Sequence, residues 1–194
     1  TAEYNVDSGF QISRYIGNGT AGHTLPIHLD SAPEMVILKR LDSADWWGTF
    51  HIRTDSSAPE DFYMPLNDTD AKQDLAGFLN DTLPTSSVVT LGDNSGVNGN
   101  DNPYLMYAWH GVEGYSKFGS YNGNGNADGT FVNCGFKPAF VMTKRSDSTS
   151  QWGVWDNKRS TNPNDATSYA NTNDADITSE DMDFLSNGFK LRNS

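Results

Sequence analysis

Along most of the chain, apolar residues come in short runs separated by clusters of Gly, Asn, Asp and Ser. Helical periodicity is nearly absent, and this punctuation is the pattern of an all-β protein. Residues 35–38 (Met-Val-Ile-Leu) and 139–142 (Ala-Phe-Val-Met) lie just after a proline and read as strands buried on both faces. Each leads through a Lys-Arg pair and a polar turn (41–45; 146–150) into a Trp-bearing return segment (46–51; 151–156), which predicts two hairpins. In the first return segment Trp47 and Thr49 alternate with Gly48 and Phe50, the period of two of a strand whose faces differ. Further strands are predicted at 9–15, 87–91, 104–109, 114–121 and 187–191, the 104–109 segment being rich in strand-forming aromatics. One helix is predicted over 70–79, with Leu75, Phe78 and Leu79 as its apolar side. The polar tract 157–176 reads as a long surface loop.

The pattern also repeats. Residues 33–48 fall on 138–153, and eight of the sixteen positions are identical: Pro33/Pro138, Val36/Val141, Lys39/Lys144, Arg40/Arg145, Asp42/Asp147, Ser43/Ser148, Trp47/Trp152 and Gly48/Gly153. Upstream, Tyr15-Ile-Gly-Asn-Gly19 meets Tyr121-Asn-Gly-Asn-Gly125. The expected organisation is an N-terminal linker or strand (1–8) followed by two related sandwich-like repeats, 9–113 and 114–194, packed together. Phe189-Lys-Leu191 aligns with Val89-Thr-Leu91, so the second repeat lacks a counterpart of the 104–109 strand. An open sheet edge is expected there, filled by residues 1–8, a neighbouring subunit or further residues. The duplicated Trp47 and Trp152 are expected in the core. Trp46 and Trp155, which the repeat does not match, are then expected on the opposite, exposed face.

Composition narrows the function. Among 194 residues, 13 Lys and Arg face 25 Asp and Glu, a formal net charge of −12. That balance argues against nucleic acid and against an anionic membrane surface. A single cysteine, Cys134, permits no disulfide within the chain; it reads as a small buried thiol and points to folding in a reducing compartment. No apolar run is long enough to predict membrane insertion.

Five Trp and eight Tyr in a Gly- and Asn-rich β protein point to sugar binding, because aromatic rings cover the apolar faces of pyranoses while polar groups fix their hydroxyls. The candidate glycan- or partner-contacting residues are Trp46, Trp155, Asn100 and Asp101. The segment 93–102 concentrates hard oxygen ligands, making Asp93 and Asp101 calcium candidates, although it lacks EF-hand spacing and also reads as a solvated hairpin loop. No other cofactor is expected. Glu180-Asp-Met-Asp183 is the densest acidic group, but the first repeat has Val88 and Val89 where corresponding acids belong. The four histidines, His23, His28, His51 and His110, are scattered without zinc or triad spacing. An enzyme is therefore not expected.

Four segments carry a family resemblance: Gly9-Phe-Gln-Ile-Ser-Arg-Tyr-Ile-Gly-Asn-Gly-Thr20, the strand at 33–40, residues 112–125 with their Tyr-Asn-Gly-Asn-Gly ending, and Asp183-Phe-Leu-Ser-Asn-Gly-Phe-Lys-Leu191. In order, they resemble a repeated domain of tail-fibre and tail-spike proteins of tailed bacteriophages, notably marine and cyanobacterial phages. The chain departs from that pattern at His28-Leu-Asp30, where a Gly-rich turn is usual. The resemblance implies a jelly-roll or concanavalin-like sandwich on an external virion appendage. It also implies host-surface glycan or receptor recognition, contacts with other virion subunits in a homo-oligomer, and no catalytic motif. A structural virion subunit, in head decoration or fibre shaft, is the alternative, and a glycan-degrading tail spike a third reading.

Overall fold

The computed structural model describes residues 1–178 and 182–192. They form a mostly β protein with a few one-turn helices and several antiparallel sheets. The strands of the first half are β1 (Ala2–Asn5), β2 (Phe10–Ile16), β3 (His23–Pro26), β4 (Met35–Arg40), β5 (Trp47–His51), β6 (Phe62–Pro65), β7 (Gln73–Asp74), β8 (Val88–Leu91) and β9 (Pro103–Trp109). Those of the second half are β10 (Phe131–Asn133), β11 (Phe140–Lys144), β12 (Trp152–Asp156), β13 (Ser168–Tyr169), β14 (Met182–Leu185) and β15 (Gly188–Leu191).

Seven strands build the largest sheet, in the order β1-β2-β9-β4-β5-β6-β7. The β9 sequence makes it possible: Tyr104, Met106 and Ala108 are fully buried while Leu105, Tyr107 and Trp109 are half-buried, a strict period of two. On the buried side Val36, Leu38, Phe50, Met106 and Ala108 pack against Leu25, Val89 and Leu91 of the β3–β8 pair, with Phe78, Leu79 and Val97 closing the end. Gln11 also points inward at 0% exposure, and its amide is fully used: Nε2 donates to Ser13 Oγ and the Pro26 carbonyl, and Oε1 accepts from His28 N–H.

Both predicted hairpins form, and their registers correspond. Val36 faces Phe50 and Leu38 faces Gly48 in the first; displaced by 105 residues, Val141 faces Trp155 and Thr143 faces Gly153 in the second. β3 pairs β8 and β10 pairs β15 in a like manner, with Leu25 opposite Val89 and Val132 opposite Phe189. A smaller cluster of Val141, Trp155, Met182, Phe184 and Phe189 forms the second core.

Three expectations are corrected and one is refined. The helix predicted over 70–79 shrinks to α1 (Ala76–Leu79), because Gln73 and Asp74 pair with β6 and Asn80 ends the turn in the left-handed conformation at φ 56°. The segment 93–102 is no open hairpin loop: Ser95–Asn98 winds into α2, capped by the Asn94 side chain accepting from Gly96 N–H. The tract 157–176 is mostly exposed, as a surface loop, but it is pinned at Asn164 (1% exposed) and Thr167 (0%), which bridge to Met182 and Ile177, and it contains the short β13. Lastly, 114–121 forms no strand; only a Val112–Ser116 bridge occurs there. Its counterpart β2 is held between β1 and β9, and no described strand stands beside 114–121. No helix is long and apolar enough to cross a membrane among the described residues.

Candidate functional site

The outer face of the seven-stranded sheet, away from the first core, carries the side chains of β2, β9, β4 and β5 with the opposite parity. Across it runs a row of four aromatic rings. Trp47 stacks with Tyr107 at 6.4 Å between centroids, Tyr107 with Trp109 at 6.1 Å, and Trp109 with Phe10 at 5.1 Å. Neighbouring planes differ by 20°, 11° and 29°, so the rings stay nearly parallel over three strands. Strand pairing fixes this: Phe10 lies opposite Trp109, while Lys39 pairs with both Leu105 and Trp47. All four rings are half-buried, so each keeps part of its surface in contact with solvent.

Cationic side chains border the row at its Trp47 end. Lys39 Nζ stands 5.9 Å from the Trp47 ring centroid and donates to the Ser43 and Asp45 carbonyls. Arg14, exposed, shares this face opposite Leu105. At the other end the sheet face passes into a groove of about 1930 Å³ between the halves, where His51 meets Phe118 edge-on. Burial, helped by the Arg53 charge, pushes the His51 imidazole down to about 4.

The tryptophans divide differently from the sequence expectation. Trp155 is not exposed: at 4% it lies in the second core. Trp46 is half-buried and packs inward on the first core, 4.6 Å from Tyr63 and 5.8 Å from Phe78. Trp47, expected inside, lies on the outer face, and Trp152 is buried at 4% but against the other half of the molecule. The inward parity belongs to Val36, Leu38 and Phe50, and hence to Gly48 and Trp46. The duplicated glycines explain the unmatched tryptophans. A Cβ on Gly48 would stand 2.0 Å from the Trp46 ring, and one on Gly153 would stand 2.4 Å from the Trp155 ring. An indole thus covers the same glycine in both hairpins, reaching it from two residues before in one and two residues after in the other.

Asn100 and Asp101 lie in the turn between α2 and β9, where Asn100 Nδ2 donates to Asp101 Oδ2 and Asp101 adopts φ 60°. Among the described residues no group of three or more His, Cys, Asp or Glu side chains comes together, at Asp93 and Asp101 or elsewhere. In the acidic group, Glu180 and Asp181 lie outside the described residues, while Asp183 is 6% exposed and paired with Arg192. Cys134 is half-buried beside the second core, and burial raises its thiol. Sequence reasoning missed Tyr107, Trp109 and Phe10 because it weighed tryptophans by repetition. The alternation within 104–109 was the signal that places them on one face.

No curated protein and no solved structure matches the chain. A family model does match, over residues 1–194, and by that match the chain belongs to the family described as Domain of unknown function (DUF7483).

Proposed function

We propose that this protein is a non-enzymatic module of a phage tail fibre or similar virion appendage, built from two related sandwich-like repeats, that contacts glycans of the host surface. The observation that carries the reading is the aromatic row from Trp47 to Phe10 on one sheet face. Half-buried rings held by strand pairing lose little further freedom on binding, and they offer apolar surface to the C–H faces of sugars. Lys39 and Arg14 at the border supply donors for hydroxyl or carboxylate groups. The family resemblance of the segments around Gly9 and Asp183 supports the virion setting. The corresponding registers of the two hairpins and of the β3–β8 and β10–β15 pairs support the two-repeat reading.

The experiment is a binding screen of the purified chain against immobilised bacterial surface polysaccharides, with Trp47→Ala and Tyr107→Ala alongside. Binding that both substitutions abolish supports the assignment; binding that neither changes removes it. A purely structural virion subunit is the second reading, favoured by Phe140, which is 59% exposed beside a strand edge.

A further inference from the structure

β11 is the outer strand of its three-stranded sheet, whereas β4, at the corresponding place of the first hairpin, is covered by β9. There Met35, Ile37 and Lys39 pair with Trp109, Tyr107 and Leu105, and β9 in turn pairs with β2. The consequences of lacking such a neighbour are visible in burial. Met35 is 6% and Ile37 7% exposed; Phe140, displaced by 105 residues from Met35, is 59% exposed, and Met142 is only half-buried. The backbone tells the same story. Asn157 N–H donates to the Ala139 carbonyl, and alternation from that bond turns the N–H and C=O groups of Phe140, Met142 and Lys144 away from β12.

Beyond that edge lies the groove of about 1930 Å³, with residues 115–121, the counterpart of β2, along its other wall. Apolar surface from Phe118, Phe131, Phe140 and Trp109 lines it. Its charge differs from the rest of the chain. Arg53, Lys117, Lys144 and Arg145 border it against one carboxylate, Asp147, in a chain whose net charge is −12.

We propose that this groove receives one extended strand from a neighbouring polypeptide, antiparallel to β11 and lying between β11 and residues 115–121 as β9 lies between β4 and β2. The incoming strand carries apolar or aromatic side chains at alternate positions, which fill the space that Trp109 and Tyr107 fill beside β4, and acidic residues that meet the basic border. Two copies of this chain joined edge to edge through β11 would bring their basic borders together, so the donor is a different, acidic segment. This interface meets the aromatic row only at Phe10 and Trp109, while Trp47, Tyr107 and Lys39 do not line the groove, so the Trp47 and Tyr107 substitutions that test glycan binding leave its lining unchanged.

The test uses the full chain and a fluorescein-labelled peptide with the sequence of residues 103–109 extended by two glutamates at each end. A scrambled peptide of equal composition, without the alternation, is the control. Saturable binding is expected, with the scrambled peptide weaker by about tenfold or more. Amide exchange at Phe140, Met142 and Lys144 should slow on binding. Met142→Pro removes an outward-facing donor, and Lys117→Glu reverses one border charge; each should weaken binding by about tenfold, with an unchanged circular dichroism spectrum for the unliganded chain. Equal affinity for both peptides, or no binding, overturns the proposal. So does a concentration-dependent dimer that Met142→Pro dissociates, because it makes a second copy the occupant.

Discussion

Trp152 in β12 donates its indole N–H to the carbonyl of Pro65 in β6, at 2.9 Å, with the tryptophan 4% exposed. The bond ties the two halves together, and its neighbours reinforce it: Lys72 N–H donates to the Ser146 carbonyl, and Ser150 N–H and Lys144 Nζ donate to the Thr69 carbonyl. The β6–β7 connection of the first half therefore serves as a seat for the β11–β12 hairpin of the second. This is why Trp152 is buried although it shares sheet parity with the outward-facing Trp47.

Trp152→Phe keeps most of the ring but removes the indole donor, leaving the Pro65 carbonyl with the longer bond from Asp68 N–H at 3.3 Å. We expect a loss of about 0.5–1.5 kcal/mol in urea unfolding, the net worth of one hydrogen bond. Trp152→Ala should cost about 3–5 kcal/mol by emptying the site. A loss below about 0.5 kcal/mol for both would mean that the halves are held elsewhere.

Gly48 and Gly153 are predicted to tolerate no side chain. Gly48→Ala drives a Cβ into the Trp46 ring, and overpacking of this kind costs about 1–3 kcal/mol. Adding Trp46→Ala should relieve the clash, so the double variant should lose less than the sum of the two single losses. Strict additivity in denaturant melts would contradict the contact.

His51 makes stability depend on pH. Its imidazole is held near 4 in the folded protein and titrates near 6.5 when unfolded. The unfolded chain therefore binds more protons between those values, and stability contributed by the neutral ring is present above about pH 6.5 and lost as pH falls toward 4. Asp55, held well below the usual carboxylate range by Lys72, adds a loss at lower pH, as its folded carboxylate protonates. His51→Gln should flatten the stability profile between pH 6.5 and 4 while leaving the more acidic limb intact. An unchanged slope there would show that the ring is protonated in the folded state.

The strand content was legible because it rests on local signals. Apolar runs such as 35–38 between turn residues mark strands whatever they pack against, and the duplicated Lys-Arg and Trp-Gly steps mark equivalent hairpins. The faces were not legible. Parity inside the 46–51 strand depends on whether Val36 and Phe50 or Trp47 turn toward the core, and repetition of Trp47 and Trp152 records a shared position without saying what covers it. The course of 114–121, and the anchoring of the 157–176 loop, were hidden for the opposite reason. The first has strand chemistry but no described partner strand; the second is polar, yet Asn164 and Thr167 are buried through bonds to Met182 and Ile177 that sequence spacing does not announce.

Calcium should have no stabilising effect through the segment that sequence singled out, because no cluster of carboxylates gathers at Asp93 and Asp101 among the described residues. The melting temperature in millimolar calcium and in EDTA should agree within about 1 °C, since a ligand that binds the folded state would raise it. A calcium-dependent rise abolished by Asp101→Asn would place a site there.

The central claim is that the aromatic face binds saccharide without cleaving it. Its direct measurement is the affinity of the full chain for a bacterial surface polysaccharide that it captures, with the Trp47→Ala/Tyr107→Ala double variant in parallel and reducing ends assayed in the same samples. The prediction is saturable binding, weakened by about tenfold or more in the double variant as stacking surface is lost, with no new reducing ends. Equal binding by the double variant, no binding to any polysaccharide, or progressive shortening of the bound chains would contradict it.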